Sequence, residues 1–268
     1  MITLAIINQK GGVGKSTTAA AIGAGLAIKG HSVLFVDLDS QGNLSYSVGA
    51  DAQGYNAMGV LINPETIEEN IQHTPQGDIL ASSPSLAGAD AVITQTGKEY
   101  RLKEALAHVA GKYDFCIIDT PPALGILTVN ALTAATGCIA PAQADIFSLQ
   151  GLIQLHGTIQ TVQKYCNRAL IFMGILLTRY NNRAIISRDA AKLIKQTAEQ
   201  LGTALYSTRI RECTALKEAQ AMKQSIYTYA PKSNAAADYS ALMEEIEENI
   251  ERIKMIQNLS KNNHQKGE

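Results

Sequence analysis

Short apolar runs alternate with longer segments of helical periodicity along most of this chain. The apolar runs cover residues 2–8, 32–37, 114–119, 137–141 and 169–178, with a shorter one at 204–206. The helical segments lie at 17–29, 100–111, 126–134, 149–165, 187–201 and 238–256. Apolar strands that alternate with helices are typical of a parallel sheet with both faces covered. The pattern therefore predicts an α/β fold, with one mostly parallel, twisted sheet and helices on both faces.

The pattern shows no repeat and no linker, so we expect a single domain over residues 1–257. A chain of 268 residues is long enough to bury one large core. The turn sequence Pro75-Gln76-Gly77 predicts a small hairpin within residues 70–82. The polar residues 258–268 predict a disordered tail.

A glycine-rich loop directly follows the first apolar run. It reads Lys10-Gly11-Gly12-Val13-Gly14-Lys15-Ser16-Thr17, and a helical segment begins at its end. A strand, a glycine loop and a helix in this order indicate a phosphate-binding P-loop, because backbone N–H groups can turn inward around a polyphosphate. In such a loop Lys15 neutralises the β- and γ-phosphates, and the Ser16 hydroxyl binds Mg²⁺. The alternative is a chance Gly- and Lys-rich turn, which would not explain the ordered context.

Two later apolar runs end in acidic residues. Asp37 and Asp39 end the second run, and Asp119 ends the run that begins at Phe115 and precedes Thr120-Pro121-Pro122. Parallel sheets bind ligands at the carboxyl ends of their strands. A carboxylate there can hold Mg²⁺ directly or through water, which predicts Asp119 as a metal ligand. The alternative interpretation is that these acids only end their strands.

These motifs resemble those of the ParA/MinD family, and the resemblance covers nearly the whole chain. Gln9 replaces the first glycine of the general P-loop and Lys10 adds a second lysine, as in the family's deviant Walker A loop. Residues 37–43 and 119–122 resemble its two switch segments. Residues 141–152, 174–180 and 229–242 resemble its later segments, whereas Gln220 stands where a proline is common. The chain is similar to the short, Soj-like members, which lack a helical DNA-reading domain before the P-loop.

The resemblance implies a Mg²⁺-dependent ATPase that forms a homodimer when ATP binds. The catalytic residues would be Lys10, which reaches the ATP of the second protomer, Lys15, and Asp39, which orients the attacking water. The resemblance implies Ser16, Asp39 and Asp119 in metal binding. The implied nucleotide-binding residues are Lys10, Gly11, Gly12, Val13, Gly14, Lys15, Ser16, Thr17 and Asp119, with Thr178, Ile210, Arg211 and Pro231 near the adenine.

Charge is unevenly distributed along the chain. Residues 160–232 hold twelve Lys or Arg and four Asp or Glu, so this segment has a net charge of +8, whereas the whole chain has −1. Such asymmetry favours a basic surface for a polyanion. The resemblance implies that this polyanion is double-stranded DNA, bound without sequence preference. Each of these side chains could equally lie on a solvated helix face. The predicted DNA contacts are Arg183, Arg188, Lys192, Lys217 and Lys223.

The resemblance also implies a ParB-like partner that stimulates hydrolysis, and hence segregation or positioning of plasmid or chromosomal DNA. A MinD-like membrane ATPase is an alternative, because Leu242, Ile246, Ile250 and Ile253 form an apolar stripe. Acidic residues surround that stripe and would repel anionic lipid, so we expect it to pack on the core and expect no membrane partner. A positioner of protein cargo and a metabolic ligase on the same fold are further alternatives.

The cysteines and the apolar runs bear on localisation. Cys116, Cys138, Cys166 and Cys213 have no C-x-x-C spacing, which predicts reduced thiols rather than disulfides, metal ligands or an iron–sulfur cluster. No apolar run is long enough to span a bilayer, and the first run is too short for a signal peptide. We expect a cytoplasmic, nucleoid-associated protein.

Overall fold

The computed structural model describes the backbone of residues 1–51 and 56–265, and the side chains of these ranges as far as residue 251. The strands form one sheet in the order β3-β4-β2-β5-β1-β6-β7-β8. All neighbouring strands are parallel except β3 and β4, which form an antiparallel hairpin at one edge. The strands are β1 (Ile2–Ile6), β2 (Val33–Asp37), β3 (Ile71–Thr74), β4 (Gly77–Leu80), β5 (Phe115–Asp119), β6 (Gly137–Gln143), β7 (Ile171–Tyr180) and β8 (Leu205–Arg211).

Helices cover both faces of this sheet, as the apolar pattern predicts. Short 3-10 turns at Pro64–Thr66, Pro84–Gly88 and Lys98–Tyr100 connect some of them. The α-helices are α1 (Lys15–Ile28), α2 (Asn43–Val48), α3 (Ala57–Ile62), α4 (Ile67–Asn70), α5 (Ala89–Val92), α6 (Arg101–Val109), α7 (Ile126–Ala134), α8 (Ile146–Tyr165), α9 (Ile185–Gln200), α10 (Thr214–Ala221), α11 (Ile226–Tyr229) and α12 (Asn234–Gln265).

Alternate residues of the central strands enter two separate hydrophobic cores. In β5, for example, Ile118 packs into the core beneath α6, α7, α8 and α9, whereas Ile117 packs into the core beneath α1, α10 and α12. This alternation follows from the strand period of two and requires apolar side chains on both faces. It explains why the strands appear in the sequence as uninterrupted apolar runs.

The predicted strands, the hairpin and the six longer helices are confirmed. The short run at 204–206 becomes the full strand β8, and the helices between residues 43 and 70 were not predicted. The last helix continues through residues 258–265, where the sequence predicts a disordered tail. Residues 266–268 of that predicted tail lie outside the described part of the chain.

Candidate nucleotide-binding site

A cavity of about 870 Å³ opens at the carboxyl ends of the parallel strands. This is the edge at which parallel sheets bind ligands. The cavity brings together the glycine loop, the end of β2, the loop after β5 and the ends of β7 and β8. Among the predicted site residues, those that line it are Gly11, Gly12, Gly14, Lys15, Ser16, Thr17, Asp39, Thr178, Ile210, Arg211 and Lys217.

The glycine loop is held in place by contacts from the neighbouring strand ends. The Thr178 hydroxyl donates to the Val13 carbonyl at 2.7 Å, and the Gln143 amide donates to the Gly12 carbonyl at 3.3 Å. Gly12 and Gly14 have φ values of +74° and +86°, which side chains with a Cβ rarely adopt. The loop therefore wraps the start of α1 in the conformation that a phosphate cradle needs, with Val13 buried behind it.

Lys15 lies in this cradle with 7% of its surface exposed. Burial lowers the pKa of its ammonium group, and the nearby carboxylates of Asp119 and Asp39 act in the opposite direction. A buried cation at the N-terminus of a helix is suited to neutralise an anion placed between it and the backbone N–H groups. The predicted role of Lys15 toward the β- and γ-phosphates is consistent with this position.

The acidic residues at the ends of β2 and β5 face each other across neighbouring strands. Asp37 and Asp119 are register partners, and both are fully buried. Asp37 supports the switch loop, because its carboxylate accepts hydrogen bonds from the Ser45 N–H and hydroxyl at 2.8 Å and from the Asp39 N–H at 3.1 Å. Burial raises the pKa of Asp37 to about 6 despite these bonds.

Asp119 has the chemistry and the burial of a metal ligand. Both of its carboxylate oxygens are buried without a hydrogen-bond partner in the described structure. Burial, and then the charge of Asp37, raise its pKa well above the usual range, while Ser16 and Lys15 oppose that rise. Buried carboxylates normally pair or bind a metal. The residues present therefore fit Mg²⁺, with Ser16 and Asp119 as the protein groups that would hold it.

We expect an Asp119→Asn substitution to stabilise the ligand-free protein by on the order of 1–3 kcal/mol near pH 7.5, because it removes a buried carboxyl group without partners. A carboxyl group whose pKa is raised in the folded protein binds its proton more tightly there than in the unfolded chain. Its unfavourable contribution to the free energy of folding is therefore absent below pH ~4 and grows as pH rises. The gain should therefore shrink toward pH ~4. Urea unfolding at several pH values measures this difference in the free energy of unfolding between the variant and the wild type. The variant should also no longer be stabilised by added Mg²⁺ and ATP. An Asp119→Asn protein that is less stable at pH 7.5 would contradict this account.

Lys10 lies outside the cradle and is paired within its own chain. Its Nζ lies 2.6 Å from Oδ2 of Asp145 and 3.5 Å from Oε1 of Gln143. Asp145 also caps α8, because its Oδ1 accepts from the Ser148 N–H at 2.9 Å. The sequence did not predict this partner, which lies 135 residues away. The cross-protomer contact of Lys10 stays a prediction.

Three of the four residues predicted near the adenine line the same cavity as the glycine loop. Thr178, Ile210 and Arg211 line it, and Arg211 is oriented by Asp238, whose Oδ1 lies 2.6 Å from Nη2. Pro231 is exposed and does not line the described cavity, so its predicted contact with the base has no support here. Gln220, which replaces a common proline, donates to the Thr17 hydroxyl at 2.9 Å and so ties α10 to α1.

The five predicted DNA contacts are all exposed and lie on elements that cover both faces of the sheet. α9, which carries Arg188 and Lys192, packs on one face of the sheet, and α10, which carries Lys217, packs on the other. Lys217 lines the nucleotide cavity, and the Lys223 ammonium lies 5.1 Å from the centre of the Tyr46 ring. The separation follows from the topology, because α9 and α10 leave the sheet on opposite sides. Arg183, Arg188 and Lys192 form an exposed basic group around the start of α9, and all five DNA contacts stay predictions.

Comparison with known proteins identifies the family. A family model described as an AAA domain matches residues 1–172. The sporulation initiation inhibitor protein Soj of Bacillus subtilis is 37% identical over 251 residues, which cover 92% of this chain and 98% of that protein. The chain belongs to the ParA/MinD family. The chromosome-partitioning ATPase Soj of Treponema pallidum is another member that is 37% identical, over 91% of this chain and 96% of its own length.

Solved structures agree with this assignment. A cobyrinic acid a,c-diamide synthase from Mycobacterium smegmatis, with a bound ATP analogue and magnesium, is 35% identical and has a TM-score of 0.81 over 91% of this chain and 93% of its own. McdA from Cyanothece in complex with ATP has the same TM-score at 22% identity over 92% and 96% of the two chains, which shows the fold alone. The ligands of the synthase match the expected cofactors, ATP and Mg²⁺.

The C-terminal apolar stripe packs on the core of this ParA/MinD family member. Leu242, Ile246 and Ile250 are at most 5% exposed and belong to the core beneath α1 and α12, as expected. Ile253, the fourth residue of the stripe, lies beyond the side chains that the structure describes. None of the helices in the described part of the chain combines the length and apolar character of a membrane span.

Proposed function

We propose that the chain is a partition ATPase that hydrolyses ATP with Mg²⁺, dimerises when ATP binds and then binds DNA without sequence preference. A ParB-like partner would stimulate hydrolysis, and the cycle would segregate or position DNA on the nucleoid. The observation that carries the proposal is the phosphate cradle, with Lys15 beside Asp39 and Asp119 and a second lysine, Lys10, in the same glycine loop. The Soj relatives support the partition role.

The groups around the cavity have distinct roles in this proposal. The loop N–H groups and Lys15 would bind and orient the phosphates. Ser16 and Asp119 would hold Mg²⁺, which would supply positive charge to neutralise the phosphate oxygens. Asp39 lines the cavity and is 8% exposed. Its Oδ1 accepts from the Gln41 N–H at 3.1 Å, which fixes the carboxylate. Held in this way, Asp39 can accept a hydrogen bond from a water and orient it for attack.

An apolar face of exposed side chains on α8 and α9 supports dimerisation at the carboxyl edge of the sheet. Ile146 and Phe147 are 68% and 76% exposed, and Ile185 and Ile186 are 67% and 76% exposed. Both helices start at the carboxyl edge of the sheet, after the neighbouring strands β6 and β7, and pack against each other. Exposed apolar patches of this kind mark interaction sites. Ile146 follows Asp145, so Lys10 and this face would meet the second protomer together.

The exposed basic group supports DNA as the ligand. Arg183 lies in the loop after β7, and Arg188 follows in the first turns of α9, at the edge where the protomers would join. A single protomer therefore offers few phosphate contacts there, and a dimer offers twice as many. Non-specific affinity grows with the number of phosphates neutralised and falls with added salt. The proposal accordingly requires DNA binding that depends on ATP and ignores base sequence.

We expect the double variant Arg183→Glu with Arg188→Glu to lose DNA binding at least about 30-fold at moderate salt, because two phosphate contacts become repulsive in each protomer. Fluorescence anisotropy with two unrelated duplexes, across a salt series and with ATP, ADP or no nucleotide, measures this. Lys164→Glu, near the distal end of α8, is the matched control and should bind like wild type. Binding that needs no ATP, selects one duplex or survives the double reversal would contradict the proposal.

A metabolic synthetase is a second candidate, because the relative with a bound ATP analogue and magnesium is described as a cobyrinic acid a,c-diamide synthase. The cavity also extends beyond the glycine loop to Leu86, Asp90 and Leu127, where an acceptor molecule could bind. The two candidates differ in one measurement. A partition ATPase hydrolyses ATP without a small-molecule acceptor and faster with DNA, whereas a synthetase needs the acceptor. A positioner of protein cargo would share the DNA response and differ only in its partner.

A further inference from the structure

Segment 82–90 connects the two loops that face the phosphate end of the cavity. It leaves β4 and crosses the carboxyl ends of β2 and β5, the strands that end at Asp37 and Asp119. The buried side chains of Leu86 and Ala89 anchor it in the core. Neither the sequence motifs nor the family relationship assigns a role to this segment.

The first end of the segment holds the loop that carries Asp39. The Ser82 hydroxyl donates to the Asp39 carbonyl, and the Ser82 N–H donates to the Ser45 hydroxyl at 2.9 Å. That hydroxyl in turn donates to Asp37 at 2.8 Å. Ser82 is 6% exposed, so these bonds are shielded from water. The position of the Asp39 backbone therefore depends directly on Ser82.

The second end of the segment holds the loop that follows Asp119. That loop ends at Gly125, which precedes α7 and has no side chain to cap it. Asp90 supplies the cap instead, because its Oδ1 accepts from the Ile126 N–H at 2.9 Å. A Cβ on Gly125 would lie 2.6 Å from Oδ2 of Asp90, so this contact requires glycine. The end of the second loop is thus set by a residue 36 positions earlier in the chain.

We infer that segment 82–90 couples the two phosphate-facing loops, and that Asp90 is a positioning residue for ATP hydrolysis. The inference rests on the proposed ATPase function. Asp90 fixes the end of the loop after β5, and Ser82 fixes the loop after β2, so that Asp39 keeps its position relative to the residues that follow Asp119. Hydrolysis depends on that alignment, since small displacements of catalytic groups cost large factors in rate. Leu86 and Asp90 line the cavity beyond the glycine loop. Nucleotide affinity depends on the glycine loop, to which neither Ser82 nor Asp90 makes a described hydrogen bond.

Steady-state ATP hydrolysis tests the inference, with kcat and KM measured separately. Asp90→Ala should lower kcat about ten-fold and change KM less than about two-fold. Asp90→Asn should keep at least about a third of wild-type kcat, because its amide oxygen can still accept from the Ile126 N–H. Asn56→Ala is the matched control. The Asn56 side chain caps α3, because it accepts from the N–H groups of Met58 and Gly59, and its removal should leave kcat unchanged.

Ser82→Ala and the double variant Ser82→Ala with Asp90→Ala test the coupling itself. Ser82→Ala should also lower kcat, and the double variant should be no more than about two-fold slower than the slower single variant, because releasing either end frees the same segment. Thermal unfolding confirms that each variant is folded. Wild-type kcat in Asp90→Ala, an Asp90→Asn as slow as Asp90→Ala, or fully multiplicative losses would overturn the inference. A wild-type protein without ATPase activity would instead refute the proposed function.

Discussion

An Asp39→Ala variant is expected to bind ATP about as tightly as the wild type and to hydrolyse it at least about a hundred-fold more slowly. Asp39 touches neither the glycine loop nor Lys15 through a described hydrogen bond, so the phosphate cradle keeps its contacts. What the variant loses is the fixed carboxylate that can orient a water, and general-base and positioning effects of this kind contribute about 10²–10⁴ in rate. Single-turnover hydrolysis with excess enzyme, together with the affinity for a fluorescent ATP analogue, separates the two effects.

The control for this prediction is Asp189→Ala, which removes an exposed acid on α9 that pairs only with Lys192 among the described ion pairs. It should hydrolyse ATP at the wild-type rate. The assignment of Asp39 would be wrong if Asp39→Ala kept the wild-type rate, or if it lost ATP binding along with hydrolysis. The second outcome would place Asp39 in ground-state binding instead.

The two lysines of the glycine loop are expected to fail in different ways. Lys15→Ala should weaken ATP binding about a hundred-fold, because it removes a 93%-buried cation from the cradle, and charge-assisted hydrogen bonds to phosphate are among the strong ones. Lys10→Ala should keep the affinity of the monomer for ATP. The ammonium group of Lys10 contacts Asp145 and Gln143, and its backbone carbonyl, which accepts from Lys15, is retained in alanine. The Lys10→Ala variant should instead lose the ATP-dependent dimer.

Equilibrium titration with a fluorescent ATP analogue and sedimentation velocity with a slowly hydrolysed analogue distinguish the two lysines. Asp145→Asn is an informative companion, because asparagine still caps α8 while it releases Lys10 from its charged partner. That variant should dimerise at least as readily as wild type. A stable, ATP-dependent dimer of Lys10→Ala would remove the proposed cross-protomer contact, and unchanged ATP affinity in Lys15→Ala would remove Lys15 from the phosphate site.

Local pattern was enough to predict the sheet and the phosphate loop. The strands are buried on both faces, so each appears as an apolar run, and the loop lies where strand and helix must join. Asp39 and Asp119 were predictable as site residues for the same reason, because Asp119 ends β5 and Asp39 lies two residues after the end of β2. Their placement in the structure beside Lys15 follows from the adjacency of β2, β5 and β1 in the sheet.

The contacts that the sequence did not reveal join residues far apart in the chain. Lys10 pairs with Asp145 across 135 positions, and Asp90 caps a helix that begins 36 positions later. No local periodicity encodes such a pair, because it exists only after the strands have been ordered. The surroundings of Lys217 also could not be predicted from the local sequence. The charge of Lys217 predicts a DNA contact, which stays a prediction, and only the structure shows that the turn from β8 into α10 also brings this exposed side chain to the wall of the nucleotide cavity.

The apolar face on α8 and α9 also limits how concentrated the ligand-free protein can be. A net charge of −1 and an isoelectric point near 6.5 provide little electrostatic repulsion between molecules at neutral pH. Exposed isoleucine and phenylalanine side chains with so little repulsion favour aggregation. Colloidal stability should therefore be poorest close to pH 6.5 and improve on either side of it. In the cell, a low copy number or continuous occupancy by nucleotide would serve the same end as added surface charge.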